Sequence, residues 1–389
     1  MDRSRLCPAI LNRLERLPPP HGHAYGVVPP PPPTGMLDLL PALPALQRAA
    51  GALARIQALA GTLPDTFLIS RILPRQEAVS SSAVEGTHST LDELLGTEEA
   101  EAPPPGPSMQ VRDYALALQA LLPLAGSQGP ALFTRPLIEE LHRQVMAHDP
   151  DYRDLPGALR EQVVWIGGGG DIGRSIFNPP PPARVAACLE DQLRYLRRED
   201  DPLGQHQALV TRMAVAHAHF EAIHPFRDGN GRVGRLLLPL MMAAEGQVPL
   251  YLSPYIETHR ADYMQALQAA QQRLEWHVPV GFLAEAVAAT ADALVRTQAR
   301  LQALGAEWRA RRVFRAGSAA RRALDLLPHY PVLTVKRLSA ELGVSFPAAA
   351  LAVRQLQEAG ILRERTGYAR NRLYAAEEVL AIYREKAES

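Results

Sequence analysis

His224-Pro225-Phe226-Arg227-Asp228-Gly229-Asn230-Gly231-Arg232-Val233-Gly234-Arg235 is the stretch on which the reading of this chain turns. The pattern from Ala208 to Ala222 predicts a helix before it, and a second helix is predicted from about Arg232, so the glycines fall at a helix N-terminus. Two glycines around an asparagine let consecutive backbone N–H groups converge on an anion, and the helix dipole adds about half a positive charge there. Arg232 and Arg235 stand three apart and share a helix face from which further phosphates can be gripped. Asp228 is an oxygen ligand suited to a Mg2+ ion that bridges phosphate oxygens. His224 is placed to take a proton from an attacking hydroxyl. Phe226 is expected to point inward and anchor the loop. Singly, a histidine is more often structural than catalytic, and Asp-Gly-Asn-Gly is more often a turn than an anion cradle. The weight lies in their coincidence.

The rest of the chain limits what such a site can do. Its 389 residues suggest two or three domains at roughly 100–200 residues each. Acidic and basic side chains balance at 41 each, so no global field draws nucleic acid or an anionic membrane to the surface. Cys7 and Cys188 are the only cysteines, which excludes a disulfide scaffold and a four-thiolate zinc site and fits a reducing compartment. The two lysines, Lys336 and Lys386, precede no Ser or Thr and sit in no Gly-rich loop, so a P-loop nucleotidase is excluded. Phosphate binding then falls to arginine and backbone. The apolar stretch after Arg3 and Arg5 is broken by Arg13, Glu15 and Arg16 and does not form a signal-peptide core. The longest apolar run, Leu236 to Ala244, is shorter than the ~18 residues that span a bilayer. A soluble cytoplasmic protein is expected, with no membrane contact.

The periodicity is mainly helical. Residues 1–35 hold prolines at 18–20 and 29–33 and read as a stiff arm rather than a core. Residues 36–108 read as an N-terminal helical unit, interrupted at Pro64 and Pro74 and closed by a connector of Glu98, Glu99, Glu101 and Pro103–Pro105. Residues 109–305 form the unit that holds the quoted stretch. Within it, two β-prone runs, Gln162 to Ile166 and Ser175 to Asn178, flank four glycines and end at four prolines, which predicts an exposed hairpin flap. Residues 306–389 are basic, with Arg and Lys outnumbering Asp and Glu. There, Thr334 to Leu342, a Gly343-Val344 turn, Ser345 to Ala359 and the segment around Gly367 predict a helix-turn-helix with a wing.

The quoted stretch resembles in full the motif of the Fic/DOC family, His-x-Phe-x-Asp/Glu-Gly-Asn-Gly-Arg-x-x-Arg. The resemblance extends to Phe220-Glu221-Ala222-Ile223, to Leu250-Tyr251-Leu252-Ser253-Pro254-Tyr255-Ile256, and to the Val164-Trp165-Ile166-Gly167 flap, about Leu39 to Ala303 in all. It implies a Fic-type helical bundle. Family members with Gly-Asn-Gly typically move AMP from ATP to a Ser, Thr or Tyr hydroxyl of a target protein. By that likeness His224 is the general base and Asp228 holds Mg2+. Gly229, Asn230 and Gly231 seat the α- and β-phosphates beside Gly234, while Arg232 and Arg235 engage the outer phosphates. Tyr263 and Gln271, eight apart on one helix face, match positions that line the adenine pocket in relatives; a surface helix is the competing reading. Val163, Val164, Trp165 and Ile166 would hold the target by adding a strand to the flap's edge, reading backbone more than sequence. The target can be the protein itself.

Ser81-Ser82-Ala83-Val84-Glu85-Gly86 places Ser81 and Glu85 on one helix face, and Gly86 loosens the turn. Alone this is a solvated helix end. Beside the full motif it resembles the inhibitory Ser/Thr-x-x-x-Glu-Gly/Asn sequence of the same family, and the resemblance implies that Glu85 pairs with Arg235 and takes the γ-phosphate's partner. Removal of AMP by the same site, with Glu85 aligning a water, remains open. So does a transcription regulator in which a winged helix binds DNA and the Fic site senses nucleotide. The presumed recognition helix, Phe346 to Gln357, carries Arg354 as its single positive charge; Arg363, Arg365, Arg370 and Arg372 could touch a backbone. Nucleic acid is thus expected as a weak partner at most, with protein docking or homodimerisation preferred. A zinc hydrolase of His217, Glu221 and His224 is disfavoured because no His-Glu-x-x-His spacing is present.

Overall fold

The structure, a computed structural model, describes residues 1–60, 71–100, 106–201, 207–367 and 371–384. The break at Pro64, the Pro103–Pro105 run, residues 202–206, Arg370 and Lys386 lie outside the described residues.

The chain is mainly helical, as its periodicity requires. α1 (Pro8–Leu11) is followed by the strands β1 (Leu14–Arg16) and β2 (Tyr25–Val27). Then come α2 (Leu43–Ala60), α3 (Ile72–Val84), α4 (Leu91–Glu99), α5 (Pro107–Gln128) and α6 (Arg135–Met146). After the flap follow α7 (Pro182–Leu196), α8 (Leu209–Ile223), α9 (Asn230–Ala244), α10 (Ser253–Thr258), α11 (Arg260–Arg273) and α12 (His277–Arg311). The C-terminal part holds α13 (Ala319–Leu326), β3 (Val332–Thr334), α14 (Val335–Leu342), α15 (Phe346–Glu358), β4 (Arg363–Glu364), β5 (Leu373–Ala375) and α16 (Glu377–Arg384).

α8 and α9 are buried on every face, which marks them as the centre of the bundle. The loop between them is therefore set in the interior. α2 turns Ala45, Ala49, Ala52 and Ile56 inward, and the three alanines let it run close along α12. α12 is long and apolar enough to cross a membrane by length and composition, although half of that stretch is buried inside the protein. The polar residues that punctuate it hid it from a search for uninterrupted apolar runs. Pro74 does not break α3; it occupies the first turn, where no intrahelical donor is lost. Thr90 and Glu93 form reciprocal caps at the start of α4, Thr90 N donating to Glu93 Oε2 at 2.8 Å and Glu93 N to Thr90 Oγ1 at 3.2 Å.

A second core joins the C-terminal part to the N-terminal helices. Ile72, Leu91 and Leu95 of α3 and α4 share it with Trp308, Leu324, Leu338, Leu356 and Tyr383. Gln76 Nε2 also donates to the Tyr383 carbonyl at 2.7 Å. α14 and α15 meet at Gly343, whose φ of +60° is a left-handed cap, and β3, β5 and β4 form one antiparallel sheet beside them.

Two expectations need correction. Residues 1–35 are not a free arm, because Leu6, Ile10 and Val27 bury themselves with Phe177 and Ala222. The intervening prolines leave room for β1 and β2 to pair, with Leu14 opposite Val27. The flap is not a two-stranded hairpin but a single antiparallel bridge, Ile166 to Phe177. Gly167, Gly168 and Gly169 all have positive φ, and a short turn at Ile172–Arg174 follows, so the return segment reaches Pro179 before a ladder can form.

Candidate active site

α8 ends at His224, whose φ of 49° and ψ of 64° are left-handed. Its backbone N bonds Phe220 O at 3.0 Å, closing the helix. Phe226 is fully buried, as expected, and stacks on the ring of His142 with centroids 3.8 Å apart. Gly157 N donates to His142 Nδ1 at 2.8 Å, so Nε2 carries the proton and donates to Asp228 O at 3.0 Å. Asn230 staples the same turn: its Oδ1 accepts from Phe226 N at 2.8 Å and its Nδ2 donates to Phe226 O at 2.9 Å. Gly229, with φ +76°, caps the N-terminus of α9, and a Cβ there would stand 2.7 Å from Met146 Sδ. Gly229 N donates to Asp228 Oδ1 at 2.6 Å, which leaves the exposed carboxylate at the mouth of the loop. Among the described residues no group of three or more His, Cys, Asp or Glu could hold a metal by themselves.

The two arginines diverge. Arg235 is 1% exposed and wholly engaged: Nε donates to Ser81 Oγ at 2.9 Å, and Nη2 donates to Ser81 O at 2.9 Å and to Glu85 Oε1 at 2.7 Å. Glu85 and Gly86 close α3, with Gly86 at φ +89°. Burial acts to raise the Glu85 carboxyl, but the Arg235 charge and bond outweigh it and hold the group below the usual carboxylate range. The same carboxylate lies over Gly231, where a Cβ would collide with Glu85 Oε1. Arg232 is buried too, with Nη2 at 3.0 Å from Met146 Sδ and 3.4 Å from Asp149 Oδ2. Its Nε and Nη1 are buried without a partner among the described residues. Two unmet donor nitrogens of a cation beside a helix N-terminus fit an anionic ligand.

His224 Nδ1 faces the Glu221 carbonyl at 3.4 Å, so Nε2 is the basic nitrogen, and Glu221 Oε2 stands 3.8 Å from Nδ1. Burial first, and the Arg160 charge second, push this imidazole down to about 4, so it is neutral at neutral pH. Burial pushes Glu221 up to about 8, and its Oε1 has no partner among the described residues. Gly234 faces these groups of α8, since a Cβ there would be 2.8 Å from Glu221 Oε1 and 3.2 Å from the His217 ring. It serves the approach of α9 to α8. Tyr263 is buried and its OH lies 2.7 Å from His217 Nε2, which brings it into the Arg235 cluster; Gln271 is buried on the same helix. Both lie on the buried side of a helix whose other side exposes Arg260, Asp262 and Gln265.

Val163, Val164, Trp165 and Ile166 are half-buried, and Trp165 Nε1 donates to Gly169 O at 3.0 Å. The opposite side of the flap is occupied: Val27 N donates to Asn178 O at 2.9 Å, and Asn178 Nδ2 to Tyr25 O at 3.0 Å. The sequence pattern gave no hint of three participants. His142 is one more inward residue of an amphipathic helix, Arg160 lies outside any motif, and Gln272, whose Nε2 donates to Ile176 O at 3.1 Å, is one glutamine among several.

Residues 132–242 match the model described as the Fic/DOC family, and residues 43–121 match that of the Fic/DOC family N-terminal region. The chain is 30% identical over 197 residues to protein adenylyltransferase fic-1 of Caenorhabditis briggsae, which covers 48% of this chain and 35% of that protein. It is 34% identical over 96 residues to a probable protein adenylyltransferase of Aquifex aeolicus, 25% of this chain and 27% of the other. The chain thus spans about a third of the length of these curated relatives. In fold it is similar to a Fic family protein from Desulfovibrio desulfuricans G20, with a TM-score of 0.54, 20% identity, and coverage of 90% of this chain and 98% of that one. A Fic domain containing signaling protein from Bacteroides thetaiotaomicron gives a TM-score of 0.51 at 18% identity, covering 65% of this chain and 97% of that one.

Proposed function

From the premise that this chain belongs to the Fic/DOC family, with the domain at residues 132–242 and its N-terminal companion at 43–121, we propose that it is an autoinhibited protein adenylyltransferase. It moves AMP from ATP to a Ser, Thr or Tyr hydroxyl of a target protein or of itself. The observation that carries this reading is the buried Arg232, with two unpartnered donor nitrogens, at the helix N-terminus that follows a neutral His224. A nucleotide phosphate satisfies those donors, and His224 Nε2 takes the proton of the incoming hydroxyl. The α-phosphoryl group is transferred largely by positioning and charge, which a fixed loop provides. Gly229, Asn230 and Gly231 line the seat, Asn230 through the rigidity it gives the turn.

Asp228 would hold Mg2+. A lone exposed carboxylate fits that ion, which commonly takes one or two protein ligands and completes its shell with water and substrate phosphates. The ion would supply charge neutralisation between phosphate oxygens. Inhibition is supported by the three bonds that hold Arg235 on Ser81 and Glu85, since that guanidinium is then withheld from the γ-phosphate. We place Tyr263 and Gln271 at the adenine end and the Val163–Ile166 edge under the target chain. The C-terminal helices and sheet are read as a winged helix used for docking or homodimerisation. Phe346 and Leu351, which are exposed on α15 beside Arg354, favour this over DNA readout. The free Cys7 and Cys188 support a reducing, cytoplasmic location.

Incubation with labelled ATP and Mg2+, followed by intact mass measurement, tests the reaction. An adenylyl adduct is expected on the protein or on an added acceptor. His224→Ala is expected to reduce the rate by ~10²-fold or more with ATP affinity nearly unchanged. Transfer by His224→Ala at the parental rate would remove the base from the mechanism.

A further inference from the structure

Arg160 is 4% exposed, and its guanidinium meets only carbonyl oxygens in the bonds it makes. Nε donates to His224 O at 2.7 Å, Nη1 to Gln162 O at 3.1 Å, and Nη2 to Pro180 O at 2.7 Å and Ile223 O at 3.3 Å. Its backbone N donates to Pro225 O at 3.0 Å. These carbonyls belong to three segments: the entry of the flap, its exit, and the turn that presents His224. That turn needs holding, because φ of 49° at a residue with a β-carbon is unfavourable and persists only where the surroundings over-determine it. A planar fork of five donors can fix several carbonyls at once. An ammonium has three donors converging on one nitrogen at the end of a flexible stem, which cannot span all four carbonyls with fixed geometry.

We propose that Arg160 is a positioning residue for the transfer step, one guanidinium setting the left-handed presentation of His224 and tying both ends of the flap to it. The base and the edge that receives the target's backbone then keep one register. This rests on the reading of His224 as base and of the flap as docking edge. Burial weighs most on the His224 charge; after it come Arg160, the Glu221 backbone carbonyl, and the Glu85 and Asp228 carboxylates, and Arg160 is the cation among them. Its loss lets the His224 titration move upward.

The test uses Arg160→Gln and Arg160→Lys in the full chain. By hydrogen-exchange mass spectrometry, amides of residues 162–178 and 223–229 are expected to exchange at least about tenfold faster in both variants, while α2 and α12 keep the parental rates. This readout needs no turnover, so it decides the clamp whether or not AMP transfer is the reaction. In adenylyl transfer, kcat is expected to fall about tenfold or more with the KM for ATP unchanged. The acid limb of the pH–rate profile is expected to move to higher pH in Arg160→Gln and to stay near the parental position in Arg160→Lys, which keeps the charge without the fork. Parental exchange in the flap and the 223–229 turn, or parental kcat in Arg160→Gln, would overturn the proposal. A uniform rise in exchange across the chain would overturn it as well, by making Arg160 a general core residue.

Discussion

At the scale of single residues, the site works by burying groups that water would otherwise serve. Glu221 is the clearest case. Burial pushes its carboxyl up to about 8, whereas in an unfolded chain it titrates at about 4.3. Between those values the folded protein keeps a proton that the unfolded chain has released, so stability falls as pH rises through this window. Glu221→Gln removes the linkage. Its Tm is expected to match the parent near pH 4 and to exceed it by on the order of several degrees near pH 8, as thermal scans across pH would show. An equal difference at every pH would contradict a buried neutral carboxyl. His142 has the opposite sign: burial pushes its imidazole down to about 4, and the neutral ring can accept from Gly157 N while donating to Asp228 O.

At the scale of elements, the last turn of α3 lies on α9, where Ser81 and Glu85 meet Arg235. Ser81 contributes two of the three bonds to Arg235, but only one, from Oγ, depends on its side chain. Ser81→Ala therefore keeps the carbonyl and the Glu85 ion pair. Its adenylyl transfer rate is expected to rise by roughly three- to tenfold, because one buried bond to a charged group is worth ~1 kcal/mol or more. A gain equal to that of Glu85→Gly would mean that the carboxylate is not the main restraint. The α8–loop–α9 unit was legible in the sequence because its requirements are local: a helix stop, glycines where a Cβ would collide, and an asparagine that bonds within its own turn. The pairing of Ser81 and Glu85 with Arg235, about 150 residues away, came instead through the resemblance to the family's inhibitory sequence, since the spacing alone reads as a solvated helix end. Arg160, His142 and the docking of residues 1–35 were not legible, because their partners lie far away in sequence. Arg160 reaches His224, and Val27 reaches Asn178. The flap was misread because β-prone composition says nothing about how many residues remain between a glycine turn and a proline run.

At the scale of the whole molecule, the N-terminal helices bridge two cores. α3 contributes Ile72 to the C-terminal core at one end and Glu85 to the Arg235 ion pair at the other. Asp92 of α4 pairs with Arg365 and Arg384, and Glu99 with Arg337, so several basic residues of the C-terminal part are engaged within the chain. Double-stranded DNA is accordingly expected to bind weakly, without sequence preference, and less as salt increases. Nanomolar, sequence-selective binding at physiological salt in a fluorescence anisotropy titration would favour the regulator instead. The central claim is that contact between the N-terminal unit and the catalytic bundle restrains AMP transfer through one arginine. Initial rates of adenylyl incorporation from labelled ATP with Mg2+ test it most directly, measured on the parent, Glu85→Gly, and Glu85→Gly with Arg235→Ala. Glu85→Gly is expected to be about tenfold faster than the parent or more, since a withheld charge-assisted bond of ~1.5–3 kcal/mol is returned to the nucleotide. Arg235→Ala is expected to cancel that gain. A Glu85→Gly protein no faster than the parent, or one equally fast without Arg235, would contradict the account, and a loss of activity would point to Glu85 as the group that aligns water for AMP removal.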